Sequence, residues 1–143
     1  MDDAKLKWLK IFGGVVYCLL VGDFARLLIT APAAVRPLVA VFGERPLGLP
    51  PQVLGVLLMA VFLLSLFAFI WHLLNLSLAV ASQTGQPQTV RGITGMLRLL
   101  GRSFVLRNSD STIHHHFVRS VASISAFVFL VTTWIVATGV AGV

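Results

Sequence analysis

The apolar run QVLGVLLMAVFLLSLFAFIWHLLNLSLAVA, residues 52–81, decides the fold class of this chain. A helix needs about 20 mainly apolar residues to cross the hydrocarbon core of a bilayer. This run is longer than that and contains no Asp, Glu, Lys or Arg. It therefore predicts a transmembrane helix over about 52–81, long enough to cross with a tilt.

Two further apolar runs predict two more spans, over about 8–30 and about 117–141. The composition agrees, since 57% of the residues are hydrophobic and only 11% are charged. Asp23 and Arg26 interrupt the first run, which favours a retained span over a cleaved signal peptide. We expect an all-α integral membrane protein with three transmembrane helices in a single membrane domain over 1–143.

The connection 31–51 carries five of the six prolines of the chain. Because proline ends a helix that precedes it, this density predicts a stiff, partly extended loop outside the cytoplasm. Its short apolar segment at 38–42 cannot span a bilayer and is expected at the membrane surface.

The second connection contains TVRGITGMLRLLGRSFVLR, residues 89–107, in which three arginines share one helical face. Arg91, Arg98 and Arg102 fall within about 40° of one another at 100° per residue. Aliphatic and aromatic side chains gather on the opposite side: Ile93, Leu97, Leu100 and Phe104. The pattern predicts an amphipathic helix over about 89–107 at the cytoplasmic membrane interface, with its arginines toward anionic lipid or a partner. A helix packed on its own protein is the alternative.

The basic residues predict the threading. Eight of them lie in the N-terminal tail, in the second connection or just beyond it, and two lie in the proline-rich loop: Lys5, Lys7, Lys10, Arg91, Arg98, Arg102, Arg107 and Arg119 against Arg36 and Arg45. Because basic residues stay on the cytoplasmic side, the N-terminus is expected inside and the C-terminus outside a bacterial inner membrane. This placement explains the net charge of +6 without nucleic acid, which we exclude as a partner.

Several polar residues within the spans need a partner. Asp23 and Arg26 are three residues apart, so they can form an internal ion pair near the outer headgroups. The alternatives are a pair with another subunit and a role of the carboxylate in a proton or ion path. On the second span, Ser65, His72 and Asn75 form a polar stripe within about 80°. On the third span, Ser120 and Ser123 provide small hydroxyl side chains for a close helix contact.

His72 is the residue with the sharpest chemical possibilities. It can hydrogen-bond to a neighbouring helix, or it can ligate a cofactor together with one of His114, His115 and His116 at the start of the third span. The predicted bounds put His72 about 13 Å inside the membrane and the histidine trio only a few ångströms inside. The two groups are therefore expected at different depths.

In size and number of spans the chain resembles the three-helix cytochrome b-type anchors of succinate dehydrogenases, which implies haem b and quinone. The arginine, serine and histidine motif that surrounds the quinone in that family is not found. Ala68 and His72 also form an Ala-x-x-x-His pattern that is similar to the bacteriochlorophyll-binding pattern of bacterial light-harvesting polypeptides, which have one span.

No nucleotide-binding, zinc-protease or hydrolase motif occurs, and Cys18 is the only cysteine. We therefore expect a non-catalytic subunit that packs, anchors or assembles with other integral membrane subunits in a larger complex of respiratory, photosynthetic or secretion type. It needs no cofactor or metal in this interpretation. The alternative is an electron-transfer anchor that binds haem b or quinone through His72.

Overall fold

The computed structural model of the chain describes residues 2–86 and 91–140. It is 89% helix, and the described residues contain no strand. They form five α-helices: α1 (Asp3–Thr30), α2 (Arg36–Phe42), α3 (Pro51–Thr84), α4 (Gly92–Leu106) and α5 (Ser111–Val140). Three of these, α1, α3 and α5, are long and apolar enough to cross a membrane, as the sequence predicts.

The helices α1 and α3 extend past the predicted spans. The first begins five residues before Trp8, where the carbonyl of Asp2 accepts a hydrogen bond from the backbone N–H of Leu6 at 3.1 Å. The 34 residues of α3 correspond to about 51 Å of helix, against a hydrocarbon thickness of about 30 Å. The helix α3 is therefore long enough to extend beyond the hydrocarbon core of a bilayer.

The helix α5 begins at Ser111, six residues before the predicted start of the third span at residue 117. Asp110 starts it. Its carboxylate accepts a hydrogen bond from the backbone N–H of Thr112 at 2.8 Å, and its carbonyl accepts one from the N–H of His114 at 3.1 Å. Asp at this position satisfies backbone donors that otherwise have no partner. At the other end, the predicted residue 141 lies outside the described residues.

The proline-rich connection is mostly helical turns, so the prediction of a partly extended loop is wrong. Each turn or helix in it has a proline in its first two residues: Pro32 in the 3₁₀ turn Pro32–Val35, Pro37 in α2, Pro46 in the 3₁₀ turn Pro46–Gly48 and Pro51 in α3. The first residues of a helix need no N–H donor, and the fixed φ of proline suits them. The prolines therefore begin helices here.

The described helices contribute to two compact units, and the first comprises Met1–Leu64 with Val128–Val143. Its buried centre is formed by Leu28 of α1, Val35, and Leu38 of α2. Gly55 of α3 lies against the side chains of Leu28 and Leu38. Because glycine has no side chain, α3 can approach both neighbours closely at Gly55.

The second unit comprises Ser65–Phe127 and has a larger centre. The buried side chains come from α3, α4 and α5: Phe69, Leu73, Leu76, Val80, Leu99 and Ile113. Met96, Leu100 and Leu106 of α4 pack against this centre with partly buried side chains. The connection between spans is thus part of a core and not a separate surface helix.

The helix α4 is shorter than predicted, and its most buried side is not the one expected. Residues 89 and 90 of the predicted range lie outside the described residues, and the helix begins at Gly92. Leu99 is 2% exposed and Ser103 is fully buried, whereas Leu97 is 63% exposed. One face of α4 therefore packs on its own protein, which was the alternative prediction. The core on which it packs is formed by side chains of α3 and α5, and the sequence pattern of α4 alone did not reveal it.

Candidate functional site

A cluster of three histidines lies within the second unit. His72 of α3 is half-buried, and its Nδ1 atom lies 3.1 Å from Nδ1 of the half-buried His116 of α5. The ring centroids of these two residues are 5.4 Å apart, with 40° between the ring planes. The exposed His115 presents its ring edge-on to both, with centroids 6.3 Å from His72 and 5.3 Å from His116.

The depth difference expected between His72 and the trio is wrong, and the start of α5 explains why. The helix begins six residues before the predicted start, which corresponds to about 9 Å along its axis. That length is close to the gap predicted between the two groups. His116 therefore lies more than one turn inside α5, where it reaches His72, whereas His114 is exposed and forms no hydrogen bond or ring contact with His72.

The Nδ1 atoms of His72 and His116 are not placed as the two axial ligands of one haem. Axial imidazoles approach the iron from opposite faces. With each nitrogen about 2 Å from the metal, they must be about 4 Å apart. The observed Nδ1 atoms are 3.1 Å apart and touch directly. They form an interhelical hydrogen bond in which one ring donates and the other accepts.

The other polar residues predicted within the second and third spans separate into different environments. Asn75 donates from Nδ2 to the carbonyl of Trp71 at 2.8 Å, a hydrogen bond within α3. Ser65 and Ser123 are half-buried. Ser120 is fully buried, and its Oγ has no hydrogen-bond partner among the described residues.

Asp23 and Arg26 do not form the internal pair that the spacing allowed. Both side chains are exposed on α1, and the structure, which describes all of this helix, contains no ion pair between them. Their three-residue spacing permits contact but does not impose the rotamers that would make it. The prediction that they contact another subunit stays open.

The three arginines predicted to contact lipid or a partner are all exposed. Arg91 immediately precedes α4, and Arg98 and Arg102 lie on it. Ile93, Leu97 and Phe104 are also exposed, on the side of α4 away from the arginines. Met96, Leu99 and Ser103 occupy the sector between these two faces and turn toward the core. This order of faces matches a helix that lies in a membrane interface and packs sideways on its own protein.

Sequence reasoning missed two polar contacts. The hydroxyl of Tyr17 donates to the carbonyl of Ala60 at 2.9 Å and joins α1 to α3 in the first unit. Arg107 places its guanidinium 4.1 Å from the ring centroid of Phe104, and Phe104 in turn lies 6.1 Å from Phe117 between ring centroids. The position of Tyr17 inside an apolar run was a signal that could have indicated its need for an acceptor.

The histidine cluster provides imidazole nitrogens that can share a proton, bond one helix to another, or ligate a metal ion. Arg119 lies one turn further along α5 from His115 and adds an exposed positive charge. No model of a known protein family, no curated protein and no solved structure matches this chain.

Proposed function

We propose that this chain is a non-catalytic integral membrane subunit that assembles with other integral membrane subunits through α1. The observation that carries the proposal is that the described chain leaves almost all of this helix exposed. Leu28 is its only buried residue in a described length of 28 residues. Lipid can cover apolar side chains, but it is a poor environment for the charged ones.

Asp23 and Arg26 make lipid an unfavourable neighbour for this helix. A charged side chain costs about 2.5 to 3.5 kcal/mol at the centre of a span and less toward its end. Asp23 lies seven residues and Arg26 four residues before the end of α1, and the described helix contains no ion pair between them. A partner helix that supplies an opposite charge or a hydrogen-bonding group removes much of this cost. The proposal assigns these two residues to such a contact.

The same helix has a surface that allows a close approach. Gly14, Cys18 and Gly22 are four residues apart in succession and are all exposed. A Cβ atom built on Gly14 or Gly22 would meet no atom within 4 Å, so no part of the described chain fills these positions. Small residues at this spacing favour close packing of transmembrane helices, which supports a helix from another subunit as the neighbour.

The proposal keeps the predicted location in a bacterial inner membrane, with the N-terminus in the cytoplasm. The distribution of lysine and arginine supports this orientation. The exposed arginines of α4 would then face anionic headgroups or an acidic surface of a partner. The type of complex, whether respiratory, photosynthetic or secretory, follows from the identity of the partners that are recovered.

The test is recovery of partners from the native membrane in a mild detergent, with native mass measurement of the complex. We expect co-purifying subunits with the parent chain, and their loss in Gly14→Leu and Asp23→Leu. Val15→Leu is the matched control, because Val15 is exposed beside Gly14 and already has a branched side chain. A parent chain that is recovered alone, or equal recovery in all variants, would contradict the proposal.

The same sample tests the haem alternative. A haem subunit would show a Soret absorption band that is lost in His72→Ala, whereas the proposed subunit is colourless. A band of this kind would replace the proposed function with an electron-transfer role.

A further inference from the structure

We propose that His72 and His116 form a two-histidine site for a divalent transition-metal ion. This site concerns the histidine cluster of the second unit alone and does not rest on the proposed subunit role. Imidazole nitrogens suit copper, nickel and zinc, and a neutral imidazole is a ligand for each of them. The ion would replace the hydrogen bond between the two rings and would lie to one side of the line that joins the two Nδ1 atoms.

The separation of the two nitrogens fits this chemistry. An ion about 2.0 to 2.1 Å from each of two neighbouring nitrogens, with an angle between square-planar and tetrahedral values, holds them about 2.9 to 3.4 Å apart. The observed Nδ1–Nδ1 distance is 3.1 Å. The distance of 3.1 Å is too short for two axial ligands on opposite sides of a haem, but it fits two adjacent ligands on one ion.

The helices already hold the two ligands in place. His72 belongs to α3, and Leu73 and Leu76, which follow it, are buried in the centre of the second unit. His116 belongs to α5, between the buried Ile113 and Ser120. Because both rings are carried by packed helices, little side-chain entropy remains to be lost on binding.

The site has open coordination positions and lies beside an exposed surface. Within the described residues no group of three or more His, Cys, Asp or Glu side chains is arranged to hold a metal, so the chain supplies two ligands and water supplies the rest. The neighbouring His115 and Arg119 are exposed. Leu76 lies one helical turn beyond His72 and packs in the same cluster as Leu99 of α4. The site therefore lies about one helical turn along α3 from the point where α4, the predicted interfacial helix, packs on it.

The chain offers a matched control in the same trio. His114 is exposed and forms no hydrogen bond or ring contact with His72. The experiment titrates copper(II) into the full chain in detergent, purified without a polyhistidine tag, and compares the parent with His72→Gln, His116→Gln and His114→Gln. Circular dichroism confirms that each variant keeps the parent's helix content.

We expect one copper ion per chain and an electron paramagnetic resonance spectrum with hyperfine coupling to two equivalent imidazole nitrogens. Loss of an outer-shell partner already weakens metal affinity by about 10- to 100-fold, so loss of one ligand should weaken it at least about tenfold. This loss is expected in His72→Gln and His116→Gln, while His114→Gln binds as tightly as the parent.

A measurement on the parent alone covers the case in which a variant fails to fold. Substoichiometric copper(II) should broaden the ring resonances of His72 and His116 before those of His114. Equal broadening of all four histidines, or an affinity that is unchanged in His72→Gln and His116→Gln, would overturn the site. Weakening in His114→Gln as large as in His116→Gln would do so as well, because it would assign the ion to the exposed end of the trio.

Discussion

Two buried serines show how differently the same side chain can be satisfied in neighbouring helices. Ser103 of α4 donates from Oγ to the carbonyl of Leu99 at 2.7 Å. Ser120 of α5 is equally buried, but its hydroxyl has no partner in the described part of the chain. A buried hydroxyl without a hydrogen bond costs about 1 to 3 kcal/mol, whereas a satisfied one contributes about 0.5 to 1.5.

We therefore expect Ser120→Ala to raise the free energy of unfolding by about 1 kcal/mol and Ser103→Ala to lower it by about as much. Thermal unfolding of the full chain in a mild detergent, followed by circular dichroism, measures both. The pair is matched in side chain, burial and secondary structure. A lower melting temperature for Ser120→Ala than for the parent would show that this hydroxyl has a partner.

At the scale of elements, one glycine determines how closely α3 approaches its neighbours. A Cβ atom at Gly55 would lie 2.6 Å from Cδ1 of Leu38 and 2.7 Å from Cδ1 of Leu28. Both leucines are buried, so their side chains have little room to move aside. Overpacking of this kind costs about 1 to 3 kcal/mol, which exceeds the gain of about 0.5 to 1 kcal/mol that alanine brings to a helix.

The expected result for Gly55→Ala is a loss of about 1 to 2 kcal/mol in the free energy of unfolding. Gly101→Ala is the control, because a Cβ atom at Gly101 meets nothing within 4 Å and should stabilise α4 by about 0.5 to 1 kcal/mol. Both are measured by thermal unfolding in detergent. Equal stabilisation by the two changes would mean that Leu28 and Leu38 can turn away freely.

The helix α4 carries the second prediction at this scale. Its exposed arginines should contact anionic lipid, with each contributing about 1 kcal/mol, so replacement of Arg91, Arg98 and Arg102 by Gln should remove about 3 kcal/mol. The three spans would still insert, because their apolar lengths are unchanged. Faster protease cleavage in the second connection, in vesicles that contain anionic lipid, is the expected outcome.

Vesicles of zwitterionic lipid are the control, since the parent and the triple variant should be cleaved at similar rates there. If the variant is cleaved no faster in anionic vesicles, the arginines form only a solvated face. In that case the burial of Leu99 and Ser103 would be sufficient to hold α4 in place.

At the scale of the whole molecule, the three long helices predict an odd number of crossings. A reporter that is active only outside the cytoplasm should therefore work at the C-terminus and fail when inserted after Gly85, in the connection that carries most of the basic residues. A reporter that is fluorescent only inside the cytoplasm should give the opposite result at each place. Reversal of both patterns would overturn the threading, and equal activity at both places would overturn the number of spans.

The sequence alone was sufficient to predict the three long helices. Transfer of an apolar side chain from water is a local free energy that adds along the chain, so runs such as 52–81 are visible without any knowledge of their neighbours. Asp110 was also readable, because a helix-capping carboxylate acts on the backbone next to it. Reading it would have moved the start of α5 to its observed position and brought the histidine trio within reach of His72.

Only the tertiary structure decided which histidine of the trio faces His72 and which side of α4 is buried. Consecutive residues on a helix point about 100° apart, so the choice between His114, His115 and His116 depends on how α5 is rotated against α3. The same holds for α4, where Leu99 is 2% exposed and Leu97 is 63% exposed although both are leucines. The rotation of a helix is set by the summed packing of side chains that are distant in sequence, and no local pattern contains that sum.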